Sequence, residues 1–197
     1  MTRRASRWAP LAPAALLVPL LAGFAYLDGP PSGRTGGFGE PTCRECHFDG
    51  PEHDPSTSVR LEGVPDRWTE GAAYDLRIVL VGPHLAAGGF QLAARYAGGS
   101  NRGRQAGELA ARGDRVAVVD SAGIAYAQHT SAGTRPSAPD TIGWVLQWTA
   151  PSGTGGAVVF HVAANAANGD DSELGDVIVT ERVRVKAPCE AKRGRGG

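Results

Sequence analysis

Cys43-Arg44-Glu45-Cys46-His47 is the stretch of this chain whose residue types and spacing point most directly to chemistry. It spells C-x-x-C-H, the attachment signal of a c-type haem. Two thiols separated by two residues can add across the vinyl groups of one porphyrin. The adjacent histidine is then carried beneath the iron as proximal ligand. Two other chemistries use the same residue types. A disulfide between Cys43 and Cys46 leaves His47 without a role. A zinc site needs four ligands and would recruit Cys189 and a further histidine, but the usual paired spacing of ligands is missing. A redox dithiol would open a helix in a βαβ setting, which this sequence lacks.

A haem held by His47 needs a sixth ligand or an open position. The only methionine is Met1, so a His/Met iron is excluded by counting. The remaining histidines are His53, His84, His129 and His161. His53 follows His47 too closely to reach the other side of a ring without an extended loop. His84 stands beside Pro83 at a strand end, where an exposed turn histidine is the plain alternative. His161 lies in mid-strand beside Phe160. His129 ends a strand within Gln128-His129-Thr130 and is the first choice, with His161, His84 and His53 behind it. Two histidines on one iron give a low-spin haem of comparatively low potential, because the thioether that raises it is absent. Full coordination points to electron transfer rather than substrate chemistry.

The remainder of the chain must position this segment. With 20 basic and 20 acidic residues over 197 positions, the charge is balanced and gives no electrostatic case for nucleic acid. Arg3, Arg4 and Arg7 precede an apolar run over 9–27, the pattern of an export signal or an N-terminal membrane anchor over 1–28. Pro10, Pro13 and Pro19 weaken a permanent spanning helix, so cleavage and retention both stay open. Either outcome places the chain outside the cytoplasm, in the periplasm or on the outer face of the membrane, where covalent haem is expected. Residues 29–58 read as a Gly/Pro-rich linker carrying the haem-attachment segment, with 29–39 as a tether without a core of its own.

From residue 59 to 187, short alternating runs separated by turn residues predict an all-β sandwich. Strands are expected near 58–64, 74–81, 89–97, 108–111, 115–120, 124–129, 142–149, 157–163 and 177–185. No helical pattern alternates with them, which disfavours a βαβ fold. Period two places Ile142, Trp144, Leu146 and Trp148 on one inward face. Val158, Phe160 and Val162 form another, which puts His161 on the opposite side. Residues 188–197 form a basic tail.

Several stretches carry a resemblance. They are Gly39-Glu40-Pro41-Thr42-Cys43 leading into Cys46-His47, then Gly89-Phe90-Gln91-Leu92-Ala93-Ala94-Arg95 and Gln128-His129-Thr130. Trp144-Val145-Leu146-Gln147-Trp148-Thr149-Ala150-Pro151 and Val158-Val159-Phe160-His161 running into Asn165-Ala166-Ala167-Asn168-Gly169 complete the set. In this order, over most of 36–185, the chain resembles bacterial extracytoplasmic Reeler-like domains, also called choice-of-anchor V. The resemblance implies a Reelin-type, immunoglobulin-like β-sandwich, exported, often with the same C-x-x-C-H near its start. Two departures stand out. Tyr is common where His161 stands and Gly where Ala164 stands, and a C-terminal sorting anchor is common where this chain has its basic tail.

Arg112-Gly113-Asp114 is best explained as a turn before a strand. Asp170, Asp171, Glu173 and Asp176 are acids in a polar turn without an ordered calcium loop. No Ser-His-Asp arrangement, phosphate loop or paired-carboxylate spacing is visible, so catalysis by this chain alone is not expected. The reading is an exported protein with one haem c on Cys43, Cys46 and His47, exchanging electrons with a redox protein or a membrane respiratory complex. Residues 9–27 would serve as the tether. The alternatives are a cell-surface binding or adhesion module without haem, and a haem-bearing subunit of a larger membrane complex.

Overall fold

The computed structural model describes residues 28–153, 155–170 and 172–189. The stretch over 9–27 expected to act as export signal or anchor and the end of the basic tail lie outside them, and among the described residues no helix is long and apolar enough to cross a membrane.

Alternating apolar residues bounded by glycine and polar turns give nine strands among the described residues. They are β1 (Ser58–Glu62), β2 (Ala73–Val81), β3 (Ala87–Tyr96), β4 (Glu108–Ala111), β5 (Val116–Ser121), β6 (Ile124–His129), β7 (Thr141–Thr149), β8 (Val158–Ala167) and β9 (Val177–Val185). They form two sheets, in the orders β1-β2-β7-β4 and β5-β6-β3-β8-β9. Every strand pairing in both is antiparallel. The chain is an all-β sandwich.

The inner faces follow the period of two. Leu76, Ile78 and Leu80 of β2 and Ile142, Trp144, Leu146 and Trp148 of β7 are fully buried. They face Phe90, Leu92 and Ala94 of β3 and Val158, Phe160 and Val162 of β8. Two aromatic contacts cross the sandwich: Trp144 to Phe90 at 4.8 Å and Trp148 to Phe160 at 5.0 Å between ring centroids. Both indole N–H groups are satisfied, Trp144 donating to the Gly133 carbonyl and Trp148 to that of Ala106, each at 2.9 Å. A buried indole keeps its packing energy only when that donor is met.

Most boundaries shift by a residue or two from the expected ones, and the shifts at β1 and β8 have local reasons. β1 stops at Glu62 because Gly63 turns at φ +80°, where a Cβ would fall 2.2 Å from the Asp75 carbonyl oxygen. β8 runs on through Ala164, Asn165 and Ala166, residues with little strand preference of their own. They pair with β3 on one side and β9 on the other, and pairing on both edges outweighs propensity.

The larger difference concerns the expected tether. Residues 28–50 lie across the outer face of the five-stranded sheet and bury it. The Arg34 amide donates to Gln91 Oε1 at 2.6 Å, and Gln91 Nε2 donates to the Pro31 carbonyl at 3.2 Å. Glu40 pairs with Arg95 and accepts the Tyr126 hydroxyl at 2.6 Å. β3 is therefore covered on both faces, with Gln91 and Arg95 buried beside its apolar residues. A Gly/Pro-rich composition predicts flexibility only where nothing offers the segment contacts. Here polar side chains on the sheet satisfy its backbone.

Candidate functional site

The C-x-x-C-H segment begins in a single 3-10 turn, Cys43–Glu45. Thr42 caps it, its hydroxyl accepting the Arg44 amide at 3.2 Å. Side chains three apart eclipse in a 3-10 turn, so Cys43 and Cys46 fall on one side. The His47 amide donates to the Cys43 carbonyl at 3.0 Å, closing the turn on the motif. Cys43 is buried against Ala163 and Ile178 of the sheet, whereas Cys46 is exposed. Burial pushes the Cys43 thiol up to about 12. Cys43, Cys46 and Cys189 are all free thiols.

The loop after the motif is fastened to the turn between β8 and β9. Arg44 donates to the Pro51 carbonyl at 2.9 Å and to that of Gly50 at 3.0 Å. Asp49 Oδ1 accepts the Gly175 amide at 2.8 Å. At Gly50 a Cβ would fall 1.7 Å from the Asp176 carbonyl oxygen, so only glycine allows this approach.

Asp176 stands at the centre of that junction. It is 1% exposed, and its Oδ2 lies 2.8 Å from His47 Nδ1. Asn165 Nδ2 donates to the same oxygen at 2.9 Å, and the Asn168 amide donates to Oδ1 at 3.3 Å. An imidazole that donates one ring N–H to a carboxylate is fixed in tautomer and orientation, and its other nitrogen becomes a better donor to a metal.

His129 stands at the end of β6 and is 8% exposed. Its Nδ1 lies 3.0 Å from the Phe90 amide nitrogen and 3.3 Å from the Phe90 carbonyl oxygen. The β3–β6 pairing ends at Gln91 and Gln128, and the ring fills the place of the next pair. Gly89 makes room for it, since a Cβ there would fall 2.4 Å from His129 Cε1. Cys43, Cys46, His47 and His129 line one cleft of about 920 Å³, counting its open mouth, with walls that are largely apolar.

The other three histidines lie elsewhere. His53 is exposed in the loop before β1, and His84 is exposed in the β2–β3 turn at φ +56°. His161 is half-buried on the outer sheet face, its ring 5.4 Å from that of Phe38. None of them lines the cleft. Among the described residues, no group of three or more His, Cys, Asp and Glu is placed to hold a metal ion. A haem iron asks the protein for only two axial donors.

Asp176 and Asn165 are the site residues that spacing does not reveal. By sequence Asp176 belongs with the solvated acids of the 170–176 turn; in the fold it is buried against His47. The one signal for this in the sequence is its place directly before the apolar start of β9.

No family model and no curated protein matches the chain. Several solved structures do. The Reelin-N domain of F-spondin is 18% identical, with 74% of this chain and 97% of that one covered and a TM-score of 0.46. The human F-spondin reeler domain is 18% identical over 70% and 92%, with a TM-score of 0.45. A cohesin module from a Clostridium perfringens family 33 glycoside hydrolase is 14% identical over 66% and 96%, with a TM-score of 0.47. The likeness is to the sandwich, and it brings no residue roles with it.

Proposed function

We propose that this chain is an exported β-sandwich protein that carries one haem c on Cys43 and Cys46 and takes part in electron transfer. The observation that carries the reading is the company of His129. Of the four histidines beyond the motif, it alone shares a cleft with Cys43, Cys46 and His47.

The residues fit the group. Two thiols on one side of a 3-10 turn offer paired attachment, and His47 is oriented by a buried carboxylate. When bound, the haem supplies the one-electron iron couple. The chain's own part is to fix and orient it. Cys43 and Cys46 would hold the group against the sheet, and His47 would give it a ring nitrogen. The Phe90 amide donates to His129 Nδ1 at 3.0 Å in this fold, so His129 would offer Nε2 as the sixth donor only after exchanging that bond for one from Nδ1–H to the Phe90 carbonyl, 3.3 Å away. With the group bound, the Asp176 carboxylate behind His47 would favour oxidised iron and a low potential. A buried thiol held near 12 is a poor nucleophile, so attachment belongs to a stage before the sheet closes over Cys43. The partner on this reading is a redox protein or a membrane respiratory complex, with residues 9–27 as tether.

A second reading is a cell-surface binding module without haem. The inertness of the Cys43 thiol favours it, because the motif then acts as a packed clamp under an apolar ligand cleft. Expression with an export-side haem maturation system separates the two. The first reading expects an intact mass raised by one haem in the wild type and not in the Cys43→Ala/Cys46→Ala variant. An unchanged wild-type mass would leave the binding module.

A further inference from the structure

A second cleft lies on the same outer sheet face, away from the C-x-x-C-H segment. It is lined by Phe38, Ala97, Arg102, Val159, His161 and Arg182 and encloses about 540 Å³ including its mouth. No carboxylate lines it.

The charges around it are unbalanced. His161 and Arg182 are directly opposed across β8 and β9, and Arg184 stands opposite Val159 in the next row on the same face. Arg102 approaches from the loop after β3, its guanidinium 5.2 Å from the centre of the Phe38 ring. Glu40, which lies on the same outer face, is already engaged by Arg95, the Tyr126 hydroxyl and the Thr35 hydroxyl. Among the described residues, neither Arg102 nor Arg182 has a carboxylate within ion-pairing distance. Two guanidinium groups and an imidazole thus converge on one concavity without a counter-charge.

The cleft is also built rather than accidental. Phe38 sits at φ +55°, a left-handed conformation that bulky residues adopt only when their surroundings hold them there. Its ring packs edge-on to His161, with Arg95 5.5 Å from its centre. Gly37 beneath it leaves no room for a side chain, since a Cβ would fall 2.6 Å from the His161 ring. The strained turn holds an aromatic plate between the cationic groups. Burial and the nearby Arg182 and Arg95 charges also hold His161 below the usual imidazole range, as expected where positive potential is concentrated.

We propose that this cleft binds a small multiply charged oxyanion, a phosphate or polycarboxylate group, between Arg102 and Arg182. Planar guanidinium forks match such oxygens in pairs, and a concavity lined by one sign of charge concentrates the attraction. The proposal does not depend on the haem.

The test is titration of the full chain with inorganic phosphate at constant ionic strength, followed by amide chemical shifts and by calorimetry. Saturable binding is expected, with shifts confined to residues around Phe38, His161 and Arg182. Arg102→Ala and Arg182→Ala, both at exposed positions that should not disturb folding, should each weaken affinity at least tenfold. Arg112→Ala, beside Asp75 on the other sheet, should leave it unchanged. Absence of saturation overturns the proposal, as does equal weakening in all three variants. Equal competition by chloride would show general screening and also overturn it.

Discussion

Asp176 Oδ2 lies 2.8 Å from His47 Nδ1, a buried carboxylate set directly behind the histidine of the C-x-x-C-H segment. The pair joins the turn between β8 and β9 to the loop that carries both thiols. It orients the imidazole and fastens the N-terminal segment to the sandwich at once.

Asp176→Asn keeps the shape and removes the charge. A hydrogen bond to a buried charged group contributes roughly 1.5–3 kcal/mol, so the haem-free chain should lose about that much stability in urea titration. In the haem-loaded protein the potential should rise, by on the order of the 59 mV that a tenfold change is worth for one electron. An unchanged potential would show that Asp176 acts on folding alone.

Gly89→Ala tests the seat of His129 without touching it. The new Cβ would meet the imidazole at 2.4 Å, so the ring must leave the place it holds beside Phe90. A stability cost of about 1–3 kcal/mol is expected for forcing a side chain into a packed site. The ferric spectrum of the loaded protein should move from low spin toward high spin. If it stays low-spin, His129 is not the sixth ligand.

Most of the sandwich is legible in the sequence. Period two locates all nine strands and puts Trp144, Trp148 and Phe160 inside, because burial on one face leaves an alternating trace. The C-x-x-C-H motif is legible from residue type and spacing alone, whereas its sharing a cleft with His129 comes only from the fold. The role of residues 28–50 is not legible. Their contacts to Gln91, Arg95 and Tyr126 join positions more than thirty apart, and such pairing has no period. Asp176 is hidden for the same reason: its neighbours in the chain are polar turn residues, whereas its partners come from β8 and the motif loop.

His161 sets a pH dependence. Burial first, then the charges of Arg182 and Arg95, hold its folded pKa below the ordinary 6.5. The unfolded chain therefore takes up a proton before the folded one does. Stability should be level above that ordinary value, fall as the pH drops through it, and stop falling once the folded imidazole is also protonated. Urea midpoints followed from about pH 8 to about pH 5 should show this slope, and His161→Gln should reduce it. An equal slope in both would assign it to other groups.

Trp148 joins the two sheets through Phe160 and closes its own donor on Ala106. Trp148→Ala should cost about 3–5 kcal/mol. Trp148→Phe, which retains much of the packing but leaves the Ala106 carbonyl unpaired, should cost less. Chemical denaturation checks both, and a loss below 1 kcal/mol for Trp148→Ala (roughly a surface value) would contradict a core built around this ring.

The most direct test of the haem reading is an alkaline pyridine haemochrome spectrum after acid-acetone extraction, on protein matured outside the cytoplasm. The account predicts a c-type band that stays with the polypeptide and disappears in Cys43→Ala/Cys46→Ala. A colourless wild-type protein under those conditions would contradict it, and the cleft between His47 and His129 would then belong to a binding module without haem.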